Sequence, residues 1–188
     1  MTSAKPTRSA VSGRTRTRML CEGAIMVALA QILSYIKLME LPNGGSLTPA
    51  MFPILLFALR WGLKDGLLAG FVFGLLQLIF DGAYAWGWQS MLLDYLVAFM
   101  VLGTAEFFAR PFKNRMVGVA VGTAIAGFLR FMCSFLSGVL VWGNLNEGLS
   151  AWTYSLVYNA SYMLPETILT TVAAVLLARF APKLFTAE

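Results

Sequence analysis

A carboxylate, Asp94, lies inside an apolar stretch over residues 91–99 that is typical of a membrane helix. On insertion scales, an Asp at the centre of such a helix costs about 2.5 to 3.5 kcal/mol. Ionisable residues within membrane helices usually face the bundle interior or a water-filled cavity, where they mark binding sites or ion pathways. We therefore expect Asp94 to line a cavity and to bind a ligand there.

Two further polar residues are predicted to lie at a similar depth on other helices. At the helical rise, Asp94 lies ~7 Å, Ser134 ~12 Å and Asn159 ~9 Å below the outer ends of their helices. Ser134, Gly138 and Trp142 are spaced four residues apart and so share one helix face. Gly138 leaves room either for a flat ligand or for close helix packing, and the spacing alone favours packing. These residues predict one cavity in the outer third of the membrane.

The last apolar segment carries two neighbouring polar stripes. One stripe contains Tyr154 and Tyr158, and the other contains Ser155, Asn159 and Tyr162. An aromatic belt at the membrane interface explains Tyr154, but it explains the deeper tyrosines poorly. The stripes therefore extend the predicted cavity onto this segment.

Arg130 and Glu166 lie deeper, ~18 to 20 Å from the outer surface by helical rise. An antiparallel pair of helices would bring them level, and either charge alone would be costly to bury. We interpret them as a buried ion pair that fixes the register of two helices. A role in transport is the alternative.

The composition indicates an all-α integral membrane protein. The 188 residues are 59% hydrophobic and 12% charged, whereas a soluble domain is roughly 45–50% apolar and about 25% charged. We predict a disordered basic tail at 1–18 and a substrate-binding membrane domain at 19–185, in the lipid bilayer of the cell membrane. The second of its six predicted transmembrane segments is short and must be tilted, extended by a loop or shielded by neighbours. The segments are 19–38, 47–61, 63–80, 89–109, 116–142 and 153–180.

The distribution of basic residues predicts the orientation. Twelve of the fourteen Lys and Arg residues lie in the N-terminal tail, in alternate loops or at the C-terminus. Because cytoplasmic loops are enriched in Lys and Arg, both termini are predicted to be cytoplasmic. The Arg-rich tail also fits an organellar transit peptide, which we keep as an alternative.

Several functional classes are excluded or disfavoured. The chain has no His and no GxxxxGK[ST], GxSxG or HExxH motif, so neither ATP hydrolysis through a phosphate loop nor a Ser-His-Asp triad is possible. Cys21 and Cys133 are far apart, which argues against a disulfide framework or a metal site. We predict no enzyme activity, no cofactor and no nucleic-acid partner.

The outer loops are rich in Gly, aromatic and acidic residues, which fits an interfacial belt or a lid over a cationic ligand.

Four motifs stand in order along the chain: residues 42–46 (PNGGS), 52–62 (FPILLFALRWG), 93–99 (LDYLVAF) and 154–162 (YSLVYNASY). With their compatible spacing, they resemble the thiamine-specific S-components of energy-coupling-factor (ECF) vitamin transporters. The resemblance runs from about Arg18 to Phe185 and implies a six-helix protein of the bacterial plasma membrane that captures thiamine from outside. It also implies docking on one coupling transmembrane subunit with two ATPase subunits.

The resemblance also implies roles for individual residues. The first outer loop, from about Glu40 to Thr48, would act as a gate, and the small residues Ala24 and Ala28 would contact the coupling subunit. Substrate binding is implied for Asp94, Tyr95, Ser134, Gly138, Trp142, Tyr154 and Asn159.

One departure from the family concerns Ser134, where relatives often have His. Serine offers a hydrogen bond but is shorter and cannot stack. An S-component for another small vitamin or a thiamine-related pyrimidine is therefore an alternative, as is a stand-alone proton-coupled carrier that uses Asp94 or the ion pair. Thiamine itself suits the residues, because its cationic thiazolium ring favours aromatic faces and its aminopyrimidine can pair with Asp, Asn and Ser.

Overall fold

The structure is a computed structural model that describes residues 13–81, 85, 87–141 and 150–186. Its long helices pack side by side, and a short hairpin joins the first two. Five helices are long and apolar enough to cross a membrane, as expected for a multi-pass membrane protein. The helices are α1 (Gly13–Ser34), α2 (Met51–Trp61), α3 (Leu63–Asp81), α4 (Gly87–Ala109), α5 (Arg115–Val141) and α6 (Ala151–Phe180), and the strands are β1 (Met39–Glu40) and β2 (Ser46–Leu47).

Helix α1 begins earlier than predicted. It starts at Gly13 rather than at Met19, and the domain boundary at residue 18 stays a prediction. Arginine is a good helix former, and Arg18 forms an ion pair with Glu22 one turn later at 2.9 Å. Such a pair stabilises the first turns of a helix, which sequence periodicity alone does not reveal.

Helix α2 is the short segment, and neighbouring helices shield it. Eight of its eleven residues are buried, and Ile54, Leu55 and Ala58 are inaccessible to solvent. Pro53 lies in the first turn, where the helix needs no backbone N–H donor. Of the three predicted solutions for this segment, shielding by neighbours is the one the structure adopts.

Helices α3 and α4 approach each other through glycine. A Cβ atom at Gly74 would lie 2.5 Å from the carbonyl oxygen of Tyr95, and one at Gly70 would collide with the carbonyl of Phe99. No side chain fits between these backbones, so the two helices lie in direct contact along this seam. The seam fixes the segment of α4 that carries Asp94.

Polar contacts join the helix ends that carry the basic loops. Arg60 forms an ion pair with Glu22 at 2.9 Å and donates hydrogen bonds to the carbonyls of Lys183 and Leu184 at 3.1 and 3.0 Å. Arg115 donates to the carbonyl of Leu59 at 2.6 Å. The basic residues therefore gather at one end of the bundle, opposite the hairpin.

The glycine seam yields a stability prediction. Gly70→Ala places a methyl group against the Phe99 carbonyl, so we expect the free energy of unfolding to fall by about 1 to 3 kcal/mol. Leu68→Ala, on the exposed face of the same helix, is the control. Thermal unfolding in detergent without ligand measures both, and equal midpoints for the two variants would contradict close packing at this seam.

Candidate functional site

A cavity of about 1000 Å³, including the part open to solvent, lies between helices α3 to α6 under the β1–β2 hairpin. Six of the seven predicted binding residues line it, and Trp142 lies outside the described residues. The six are Asp94, Tyr95, Ser134, Gly138, Tyr154 and Asn159. The predicted convergence of polar groups on one cavity is thus observed, and their role in binding stays a prediction.

Serine hydroxyls, rather than a cation, surround the Asp94 carboxylate. Ser90 donates to Oδ2 at 2.8 Å, Ser137 donates to the same oxygen, and the Ser134 hydroxyl also interacts with the group. Within the described part of the chain, no Lys or Arg forms an ion pair with Asp94. Hydroxyl donors hold the carboxylate in place, and it forms no direct ion pair among these residues.

The backbone around Asp94 is not a regular α-helix. Residues Met91–Val97 form a π-helix, a rare conformation that occurs frequently at functional sites. The wider turn carries Asp94 and Tyr95, both of which reach the cavity. The Tyr95 hydroxyl donates to the carbonyl of Asp81 at 3.0 Å and so ties this turn to the end of α3.

Protein groups already engage the Asn159 amide. Its nitrogen donates to the Ser155 carbonyl at 2.9 Å and to the Ser134 carbonyl at 3.4 Å, and its oxygen accepts from the Tyr162 hydroxyl at 3.1 Å. A ligand that bonds to Asn159 must therefore share or replace one of these partners. In this structure the residue joins α5 to α6.

Gly138 allows close packing as well as lining the cavity. A Cβ atom there would collide with the Ser155 hydroxyl, which donates to the Phe135 carbonyl at 2.7 Å. The packing interpretation of this glycine is therefore confirmed.

The β1–β2 hairpin covers part of the cavity and is attached to α6 by a tyrosine. The Gly45 amide donates to the Tyr158 hydroxyl at 2.9 Å, and that hydroxyl donates to the Pro42 carbonyl. Tyr158 also stacks on Tyr154, with ring centroids 5.8 Å apart and planes at 16°. Gating by this loop stays a prediction, and the contacts show where it is held.

The predicted ion pair between Arg130 and Glu166 is confirmed. Arg130 Nη1 lies 2.6 Å from Glu166 Oε2, with side chains 11% and 1% exposed. The guanidinium lies 4.8 Å from the Phe99 ring centroid, and the Thr48 hydroxyl donates to Glu166 at 3.4 Å. The pair joins α5 to α6 as predicted, and it also borders the cavity and holds the end of the hairpin loop.

Three polar residues near the site were missed by the sequence analysis. Ser90 lies four residues before Asp94, and Ser137 lies three residues after Ser134, so helical spacing could have identified both. Gln77 lies four residues before the end of α3 and lines the cavity. Its immediate neighbours in sequence, Leu76 and Leu78, are apolar and drew no attention to it. Conversely, Ala24 and Ala28 lie on the exposed side of α1 and do not line the cavity.

A sequence model of one protein family matches most of the chain. It is described as thiamine transporter protein (Thia_YuaJ) and matches residues 20–186. Two curated relatives carry the name thiamine transporter ThiT. The one from Bacillus subtilis (strain 168) is 35% identical over 181 residues, covering 90% of this chain and 94% of the relative. The one from Lacticaseibacillus paracasei is 34% identical over 185 residues, covering 90% of each.

A solved structure has the same fold. ThiT from Listeria monocytogenes superposes with a TM-score of 0.80 at 27% identity, covering 91% of this chain and 98% of that one. These relatives are named as transporters rather than enzymes, which agrees with the prediction that the chain is not an enzyme.

The buried ion pair yields a second prediction. Glu166→Gln removes the partner of a buried guanidinium, and breaking such a pair costs about 3 to 5 kcal/mol. The matched control is Glu40→Gln, which removes the partner of Lys37 at a site 51% exposed and should cost less than about 1 kcal/mol. Denaturation in detergent compares the two, and equal losses would contradict the structural role of the pair.

Proposed function

This chain belongs to the thiamine transporter protein (Thia_YuaJ) family, and we propose that it is the thiamine-binding S-component of an ECF-type importer. In this proposal it captures thiamine in an outward-facing cavity, and the ATP-driven step belongs to its partners. Family membership supports the transporter class and the residence of the chain in the cell membrane. The cavity supports the assignment of a binding role to this subunit.

The observation that carries the proposal is the Asp94 carboxylate, which serine hydroxyls hold in place without a counter-ion among the described residues. Burial of such a charge is costly unless a ligand compensates it. Thiamine carries a permanent positive charge and an amino group, either of which can pair with a carboxylate. The stacked rings of Tyr154 and Tyr158 offer aromatic faces that suit a ring cation.

We assign the remaining site residues by chemistry. Asp94 would accept from or pair with the ligand, while Tyr95 and Tyr154 would provide aromatic walls, as would Trp142. Ser134 and Asn159 would complete the hydrogen bonding, with Gly138 leaving space beside them.

A thiamine-related pyrimidine or another small vitamin is a second candidate. The observation that favours it is the short Ser134 side chain, which interacts with Asp94 and so is partly occupied by the protein. Competition of unlabelled vitamins against bound thiamine distinguishes the two candidates, because the preferred ligand displaces thiamine at the lowest concentration.

The exposed side of α1 supports a docking role. Ala24 and Ala28 present small side chains on the outside of the bundle, where another membrane helix could approach closely. We propose that the coupling transmembrane subunit, which carries two ATPase subunits, packs here. Both termini would be cytoplasmic, and α2 would be the sixth transmembrane segment.

Asp94→Asn tests the binding site. The substitution keeps the shape and removes the charge, so thiamine affinity should fall at least about tenfold, as expected for loss of a charge-assisted contact. The matched control is Asp65→Asn, in the first turn of α3 and outside the cavity lining. Calorimetric titration of the purified proteins measures both affinities, and an unchanged affinity for Asp94→Asn would refute the assignment.

Ala24→Trp tests the docking surface. The bulky ring prevents close helix approach but lies away from the cavity, so thiamine binding should be unchanged while ATP-driven uptake is lost. Val157→Trp, at another exposed position on α6, controls for the insertion of a Trp into lipid. Uptake by vesicles containing the whole transporter provides the readout, and normal uptake by Ala24→Trp would exclude docking at this face.

A further inference from the structure

Gln77 of α3 is a cavity residue to which the proposed site gives no role. It lines the same cavity as Asp94, and its side chain is only 7% exposed. A glutamine buried in a membrane helix must satisfy two donors and one acceptor to avoid a desolvation cost. The hydrogen bonds around Gln77 satisfy its donors only.

A chain of hydrogen bonds from α1 engages the Gln77 amide. The Ser34 hydroxyl donates its proton to the Gln31 backbone carbonyl at 2.7 Å, and its oxygen accepts from Gln77 Nε2, which lies 3.0 Å away. The second amide hydrogen of Gln77 points to Gln31 Oε1 at 2.9 Å, and the Gln31 amide nitrogen donates in turn to the Tyr35 hydroxyl at 3.1 Å. With both amide hydrogens directed at α1, Gln77 Oε1 points away from it.

The acceptor of Gln77 is therefore available to the cavity. Among the described residues, none donates a hydrogen bond to Gln77 Oε1. The oxygen is also not one of the fully buried side-chain atoms that lack a hydrogen-bond partner, so a ligand in the cavity can reach it. Asn159 differs, because both ends of its amide have protein partners. Gln77 thus presents an unpaired carbonyl oxygen on a different helix from Asp94.

We infer that Gln77 Oε1 accepts a hydrogen bond from an N–H or O–H group of the bound ligand and helps to set its specificity. The inference rests on the proposed function and extends the site onto α3. With Asp94 the cavity then offers two acceptors on two helices. A ligand with two donor hydrogens, such as an exocyclic amine or an amine together with a hydroxyl, matches that pair.

Binding of thiamine and two analogues to Gln77→Met tests the inference. Methionine keeps the length and bulk of the side chain but has no amide oxygen. One analogue replaces the exocyclic amine with oxygen, and the other lacks the hydroxyl of the side arm. Gln89→Met, outside the cavity lining, is the matched control. Calorimetry of each purified protein gives the affinities.

We expect Gln77→Met to bind thiamine about three- to tenfold more weakly, as for the loss of one hydrogen bond, while Gln89→Met is unchanged. The loss should vanish for the analogue that lacks the donor read by Gln77, which distinguishes the amine from the hydroxyl. An unchanged thiamine affinity, or the same loss for all three ligands, would overturn the inference and leave Gln77 a structural residue. Failure of the unaltered protein to bind thiamine would instead overturn the proposed function on which the inference rests.

Discussion

The placement of one carboxylate in a membrane cavity, without a direct ion pair among the described residues, is the constraint on which the rest of the site depends. Asp94 lies in a membrane helix and receives hydrogen bonds from Ser90 and Ser137. Hydroxyl groups lower the cost of burying the charge, but they do not neutralise it. The cavity therefore keeps an attraction for a cation or for N–H donors, which suits the positively charged vitamin proposed as its ligand.

Close backbone packing makes this arrangement possible. Gly70 and Gly74 bring α3 against the backbone of α4, beside the π-helix that carries Asp94. On the opposite side, Gly138 brings α5 against α6. The deeper pair of Arg130 and Glu166 then fixes the register of α5 and α6. The cavity thus has walls whose positions are set by steric contact and by one buried ion pair.

Helical geometry accounts for how much could be predicted from sequence. The rise per residue of an α-helix was enough to predict that Asp94, Ser134 and Asn159 lie at a similar depth in the membrane and that Arg130 lies beside Glu166. Depth along a membrane helix follows directly from position in the chain. Hydrogen-bond partners do not follow from depth. The engaged amides of Asn159 and Gln77 depend on which helix lies opposite. The early start of α1 depends on local charge pairing, which hydrophobic periodicity ignores.

Asp94 is proposed to bind thiamine through a carboxylate that forms no ion pair among the described residues. A structure of this protein determined with thiamine bound tests that contact. We expect ligand density within hydrogen-bonding distance of the Asp94 carboxylate, between α4 and the tyrosines of α6. Thiamine density elsewhere, with Asp94 contacting only its serine partners, would contradict it.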